Sequence, residues 1–364
     1  MSVIISNLKL YGCASMPEAD GATVGGVVDF NRKVTFSDLA ANGTLDVVSS
    51  SASDTATRCI ARFRDATGVV VTPAFVTLTG TTAVQISATN AERIQAVVIS
   101  GGSIAGIADP GGTNAVGDVC VHANTRVLSS RTAQAGAAET ASLPASITLQ
   151  SGDGASCSVG MIIRILNNTP SGVQFQLREI VALSGDVAYV NRDWGTVPSS
   201  STTYEVLRGV LCDILPQPIR AVTRMFATSA ADALGGSSRT FYEKFFLSNQ
   251  NATPLSLTGA SVAIQAISPA LPSGAALQIA TCSAFNDNAT AANRQTLPTN
   301  QGGGALTFTA GAPPQSQSVS AGGGAIPGGG TAANALGVWA SLLLPAGAAA
   351  YKGAATIRAQ GQTV

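Results

Sequence analysis

The chain has 364 residues, of which 45% are hydrophobic, so it is long enough for two or three domains with separate cores, and disorder throughout is excluded. Only 11% of the residues are charged, and 20 basic residues balance 20 acidic ones, which argues against a surface that binds nucleic acid. A weakly charged surface rich in hydroxyl and amide groups costs little to bury against other proteins. The composition therefore favours a protein that works in an assembly.

The first third of the chain is dominated by β-branched runs with a period of two, which predict strands. Residues 55–78 are expected to form a long hairpin whose turn ends at Gly68, a residue able to adopt positive φ. Arg58, Arg62 and Arg64 alternate and are therefore expected on one face. Six short strands indicate a β-sandwich over residues 1–125. The predicted strands cover residues 27–36, 44–49, 55–64, 69–78, 92–100 and 116–122.

The middle third repeats this pattern on a smaller scale, and we assign residues 126–215 to a second domain. Residues 129–142, rich in Ser, Ala, Thr and Gln, predict a linker or an extended arm. Glycines between the following strands are typical of the tight reversals of a small closed barrel. The predicted strands cover residues 147–149, 161–166, 174–182, 187–191 and 204–207. Pro216 and Pro218 then mark a boundary.

The last third, residues 216–364, predicts a C-terminal β-sandwich in which Trp339, Phe245 and Phe246 fill the core. Glycine-rich stretches at residues 302–304, 322–324 and 328–330 indicate long loops. One short helix is predicted over residues 229–234. The predicted strands cover residues 241–248, 261–266, 276–282, 305–309, 335–344 and 354–359. The whole chain is thus predicted to be all-β, with three sandwich or barrel domains in tandem and long Gly-rich loops.

The cysteines and the N-terminal residues indicate the cellular compartment in which the protein is made. Six scattered cysteines without a CxxC pair predict free, buried thiols in a protein made in a reducing cytoplasm. The N-terminal residues do not have the pattern of a signal peptide, and no apolar run of about 18 residues predicts a membrane span.

Motifs for catalysis do not emerge from the sequence. The single histidine, His122, follows an apolar strand and is expected to be structural, and neither a GxSxG elbow, a phosphate-binding loop nor a zinc ligand set accompanies it. Tyr189, Asp193 and Trp194 form a candidate glycan contact, with Asp186 as a nearby carboxylate. The alternative is structural, with Asp186 in a turn and Trp194 as an anchor at a strand end. We therefore expect no enzyme activity, no cofactor and no metal.

Residues 171–207 carry a pattern that resembles a small β-barrel module of phage tail and fibre proteins. Val173 and Phe175 stand where that module commonly has small residues, so the resemblance predicts the fold and not a ligand groove. The matching positions are Gly172, Gln176, Arg178, Ile180, Gly185, Val190, Trp194, Pro198, Ser201, Tyr204 and Val206.

Two further regions resemble phage virion structural proteins. The sequences of residues 6–26, 64–68, 78–84 and 92–94 are similar to the N-terminal region of such proteins. Residues 245–262 and 335–348 are similar to their β-sandwich modules. The resemblance implies a protein without enzymatic residues.

The predicted function is accordingly that of a non-enzymatic, multicopy structural component of a tailed-phage virion. Its expected place is the tail, at the distal end, the baseplate or the fibre attachment. The expected partners are copies of itself and other virion proteins, after assembly in the host cytoplasm. Two alternatives are a capsid decoration or cement protein, and a virion protein that binds a host receptor or glycan. A polysaccharide-degrading enzyme ranks last.

Overall fold

The computed structural model describes residues 7–17, 21–34, 39, 43–65, 67, 69–104, 107–140, 143–212, 219–222, 225–226, 236–348 and 353–363. Over these residues the chain is all-β, as predicted, with only short 3-10 turns besides its strands. The predicted helix at residues 229–234 lies outside the described residues. The strands are β1 Leu8–Ser15, β2 Val24–Asp29, β3 Arg32–Lys33, β4 Gly43–Ser49, β5 Arg58–Asp65, β6 Val70–Val71, β7 Val76–Thr77, β8 Val84–Ile99, β9 Val119–Ala123, β10 Leu128–Thr132, β11 Ala135–Ala137, β12 Ser146–Thr148, β13 Ile162–Ile165, β14 Gln176–Ser184, β15 Val187–Val190, β16 Thr203–Leu207, β17 Gly209–Cys212, β18 Ile219–Val222, β19 Arg239–Asn249, β20 Leu257–Ser268, β21 Ala276–Phe285, β22 Thr290–Ala291, β23 Gln315–Ser318, β24 Leu336–Leu344 and β25 Ala354–Thr363.

The strands divide between two compact units. The first unit comprises Met1–Phe30 and Arg224–Val364, and the second comprises Asn31–Thr223. The first unit thus draws on both ends of the chain. The proposed division into three consecutive domains stays a prediction.

The larger sheet of the second unit has nine strands and curls around an apolar core. Its main path runs β17-β9-β4-β8-β18-β3, with β5 also paired to β8. Strand β8 is 16 residues long, and it pairs with β4 through its first half and with β5 through its second half. The core between these strands includes Leu45, Phe63, Val97 and Val121. The predicted alternation of β5 is confirmed, since Cys59, Ala61 and Phe63 are buried between half-buried arginines.

The smaller sheet of the second unit has seven strands in the order β10-β16-β13-β14-β15-β12-β11. Its two edge strands, β10 and β11, are consecutive in the chain and are separated only by Ala133 and Gln134. The backbone N–H of Ala133 donates to Thr202 on one side, and that of Gln134 donates to Thr148 on the other. One extended segment therefore borders both ends of the sheet, which curls around a core that includes Ile147.

This segment differs from the linker or arm predicted for residues 129–142. Its small and hydroxyl-bearing side chains carry no strand pattern, but pairing in a sheet is made by the backbone, which every residue supplies. Strand β10 pairs with β16, and β11 pairs with β12. Gly136 packs so closely that an added Cβ would lie 2.6 Å from the carbonyl oxygen of Pro198.

The first unit contains a six-stranded sheet, β21-β24-β19-β1-β2-β22, and a three-stranded sheet, β23-β20-β25. Strand β24 is paired on both sides and is almost entirely buried, as the poor alternation of its sequence predicts. Trp339, Phe245 and Phe246 are buried, which confirms their predicted place in the core.

The strand predicted over residues 27–36 is interrupted by a turn at residues 30–31, and the strand predicted over residues 305–309 is wrong. Residues 306–309 form no strand, and Ala305 makes only an isolated bridge to Thr299. The backbone N–H of Thr309 donates to the carbonyl oxygen of Ile279 at 2.9 Å, and the Thr309 hydroxyl accepts a hydrogen bond from the N–H of Ile279 at 3.1 Å, so one residue satisfies this edge of β21 without a strand.

Candidate assembly surface

An open edge of the nine-stranded sheet is the first candidate surface. It consists of residues 69–77, which include β6 and β7 and contain no charged residue. Both short strands pair with β5, and neither pairs with a second strand within the part of the chain that the structure describes. We call this segment the 69–77 edge. Unpaired backbone groups of an edge strand can accept a strand from another chain.

The turn that leads into the 69–77 edge is built around one carboxylate. Oδ1 of Asp65 accepts hydrogen bonds from the backbone N–H groups of Thr67 and Val69, both at 2.9 Å, and from the Thr67 hydroxyl at 2.7 Å. The predicted hairpin between β5 and the 69–77 edge is confirmed, while Gly68 lies outside the described residues. A turn with this many bonds holds the edge in register with β5.

The side chains of the 69–77 edge divide between core and solvent. Val71 and Val76 pack against the buried core of the sheet. Val69, Val70 and Phe75 remain 58%, 47% and 44% exposed. Three large apolar side chains on nine consecutive residues make a patch of the kind that marks an interaction site.

The Phe75 ring is also in contact with an arginine side chain. The Arg58 guanidinium lies 4.3 Å from the ring centroid, and its Nη1 donates to the carbonyl oxygen of Pro110 at 3.1 Å. A cation in this position is attracted to the ring face. The aromatic ring is thus held at the surface by a side chain that is itself anchored.

A second open edge belongs to the first unit. Strand β25 has ten residues, pairs only with β20 among the described strands, and carries one charge, Arg358. Natural edge strands are commonly protected by charges, prolines or short length. Strand β25 is long and almost uncharged, so it is a second candidate for strand addition.

The three residues of the predicted glycan contact do not converge on one surface. Trp194 is only 6% exposed and packs in the core of the seven-stranded sheet with Val190. Its Nε1 donates to the carbonyl oxygen of Ser146 at 2.9 Å. Tyr189 is half-buried and lies between the buried residues Ala188 and Val190, so it points to the opposite face of β15.

Asp193 is exposed, but its carboxylate is engaged by the backbone. Oδ1 accepts hydrogen bonds from the N–H groups of Glu139 and Trp194, both at 2.9 Å. The Trp194 ring faces are covered, so it offers no platform for stacking on a sugar. The arrangement fits the structural alternative, in which Trp194 anchors the strand end.

We expect Trp194→Phe to lower the free energy of unfolding of the second unit by about 1–2 kcal/mol, because it removes the indole N–H that donates to the part-buried carbonyl of Ser146. Urea unfolding monitored by far-UV circular dichroism measures this loss. Asp193→Asn, which keeps an acceptor oxygen on an exposed side chain, serves as the matched control and should have a smaller effect. An unchanged midpoint for Trp194→Phe would contradict the anchoring role.

Asp186 lies in a turn, as expected from the sequence. Its two carboxylate oxygens accept hydrogen bonds from the backbone N–H groups of Gly154, at 2.8 Å, and Gly152, at 3.0 Å. These donors lower the pKa of Asp186 below its ordinary value. A carboxylate held in its charged form by two amides stabilises the turn and is poorly suited to donate a proton.

His122 is fully buried in β9, where its Nδ1 lies 2.8 Å from the carbonyl oxygen of Ala123 and its Nε2 has no hydrogen-bond partner. Burial is the main reason that the pKa of His122 is lowered to about 4; the hydrogen bond to Ala123 opposes this effect, and the nearby charges of Arg126 and Arg164 add to it. Both arginines donate to Glu205. The neutral ring is therefore the native form, in agreement with a structural histidine.

All six cysteines are buried thiols outside any disulfide bond, as predicted. Within the described ranges, no cluster of His, Cys, Asp and Glu could hold a metal ion. None of the helical turns in that part of the chain is long and apolar enough to cross a membrane.

Sequence reasoning predicted residues 69–78 as a strand but missed that it would be an open edge. The signal was present, since Pro73 interrupts an uncharged run of valines and proline within sheets is confined to edges and bulges.

Comparison of the chain with protein-family models, curated proteins and solved structures finds no match.

Proposed function

We propose that this chain is a non-enzymatic, multicopy structural component of a tailed-phage virion, located in the tail at its distal end, baseplate or fibre attachment. The sequence resemblances of residues 6–26, 171–207 and 245–262 support the virion as its setting. Its partners would be other copies of the chain and neighbouring virion proteins. The glycan-binding alternative is not carried forward, because the Trp194 ring is buried.

The 69–77 edge is the observation that carries this proposal. It combines an unpaired backbone with an apolar patch and no charge, and the whole chain has equal numbers of acidic and basic residues. Copies of such a chain repel one another weakly, and burying an apolar edge against a neighbour removes it from water. Symmetry repeats each contact, so that weak individual interfaces add up.

We expect the purified chain to self-associate as its concentration rises and the double variant Val70→Lys/Phe75→Lys to shift it toward the monomer. Two ammonium groups at the edge would have to be desolvated on association, and they would face their own copies across the contact. Sedimentation velocity over a hundredfold concentration range measures the shift.

The matched control is Val181→Lys/Val197→Lys, which adds the same charge at two other exposed valines, one on β14 and one in the loop between β15 and β16. It should associate like the unchanged protein. A chain that stays monomeric at every concentration, or equal association of both double variants, would refute a role for the 69–77 edge.

Placement in the particle needs a separate experiment. Immunogold electron microscopy of virions that carry a tagged copy of the chain should place the gold at the tail. Gold on the head would favour the decoration alternative, and the absence of the chain from purified particles would refute the virion role altogether.

A further inference from the structure

A fully buried lysine and aspartate face each other in the first unit. Lys244 on β19 and Asp287, just after β21, both have side chains with no exposure to solvent, and Nζ lies 2.6 Å from Oδ1. The Phe246 and Trp339 rings flank the nitrogen at 5.2 Å and 5.4 Å. Burying two charges among apolar rings carries a desolvation penalty of several kcal/mol per ion.

The carboxyl group of Asp287 is held by three other donors. The backbone N–H of Gln301 donates to Oδ2 at 2.6 Å, and that of Ala289 donates to Oδ1 at 3.0 Å. The Cys282 thiol, whose pKa burial raises to about 12, is protonated and hydrogen-bonds to the same carboxyl group. Donors fixed in this way can stabilise negative charge that develops on a carboxyl oxygen.

We propose that Lys244 and Asp287 are the site of an intramolecular cross-link, an amide bond between Nζ and the side-chain carboxyl carbon. The hydrogen bond places the nitrogen beside that carbon, and neither side chain can leave the core without unfolding, so the effective concentration of the two groups is high. The neutral amide would also replace two buried charges. The cross-link would form in this fold whatever the assembly into which the chain is built.

The reaction balances without any other reagent. The ammonium group passes one proton to Oδ1, and the free amine then attacks the carboxyl carbon and forms the C–N bond. The negative charge that develops on Oδ2 is met by the N–H of Gln301. A second proton moves from the nitrogen to Oδ1, the C–Oδ1 bond breaks, and one water molecule leaves. The nitrogen keeps its third hydrogen as the amide N–H.

The test is mass spectrometry of the purified full-length chain under reducing conditions. We expect the intact mass to be lower than the sequence mass by one water molecule. Trypsin should then fail to cleave after Lys244, because its side chain no longer carries a charge. The next basic residue along the chain is Arg294, so the cross-link predicts one looped peptide of residues 240–294 that also lacks one water.

Variants separate this outcome from other losses of water. Lys244→Met and Asp287→Ala, which remove the amine and the carboxyl carbon respectively, should both restore the full mass expected from their sequences. Glu243→Gln, which alters a neighbouring buried ion pair, is the control and should keep the deficit. A cyclised backbone at Asp287 would also remove one water but would leave Lys244 cleavable, and this result would overturn the proposal. Full sequence mass in the folded, unaltered chain would overturn it as well.

Discussion

Replacing Arg294 with methionine should lower the free energy of unfolding of the first unit by about 3–5 kcal/mol, because Glu243 would then be a buried carboxylate without its guanidinium partner. Both side chains are almost completely inaccessible, and Arg294 Nε lies 2.7 Å from Glu243 Oε1. The guanidinium also lies 5.5 Å from the Phe241 ring centroid. The loss is therefore one of charge pairing and of packing.

The two tryptophans allow each unit to be followed separately. Trp339 lies in the first unit and Trp194 in the second, so a Trp194→Phe background leaves Trp339 fluorescence as a probe of the first unit alone. Urea unfolding monitored at this single tryptophan gives the difference between Arg294→Met and its parent.

The double variant Glu243→Leu/Arg294→Met is the matched control. It removes both charges and leaves apolar side chains of similar length, so it should regain much of the stability lost in Arg294→Met. If the loss of stability in the double variant equalled the sum of the losses in Glu243→Leu and Arg294→Met, the two side chains would act independently.

The burial of side chains within single strands could be predicted from the sequence. The period of two in β5 predicted which side chains are buried, and the poor alternation of β24 predicted that both its faces are covered. The turn after β5, which is built around Asp65, was also predicted from the sequence. In each case the prediction rests on the residues of the strand or turn itself.

Pairing between distant segments could not be predicted in the same way. Strand β1 pairs with β19, more than 200 residues later, and β2 pairs with β22. The residue pattern of a strand predicts which of its faces is buried, but it does not predict which strand will pair with it. The same limit applies to β10 and β11, whose pairing in the sheet is made by backbone bonds that their side chains do not encode.

The candidate sites show a related limit. Charged residues are almost never fully buried unless they are paired, so no local pattern predicts that Lys244 or Arg294 lies in a core. Trp194 donates its backbone N–H to the neighbouring Asp193, yet the burial of its ring depends on how the ring packs against the whole sheet. Spacing brings residues together along a strand, and only the packed structure decides which remain accessible.

His122 should make the second unit less stable in acid. Its pKa is about 4 in the fold, against an ordinary value of 6.5 that the unfolded chain would have. Between these two values the unfolded chain binds a proton that the folded chain does not, so unfolding becomes more favourable as the pH falls. The contribution of His122 to stability is intact above about pH 6.5, and roughly 3 kcal/mol of it should be lost by about pH 4.

Other groups also titrate in this range, so the comparison with His122→Phe isolates the histidine. Phenylalanine keeps a flat ring in the core and cannot be protonated, although it loses the hydrogen bond between Nδ1 and the carbonyl oxygen of Ala123. That loss does not depend on pH, so we expect the difference in unfolding free energy between the two proteins to shift in favour of the variant by about 3 kcal/mol from pH 7 to pH 4. If both proteins lost the same free energy of unfolding as the pH fell, His122 would be protonated equally easily in the folded and unfolded chain. The core around β9 would then be more open to solvent than the structure shows.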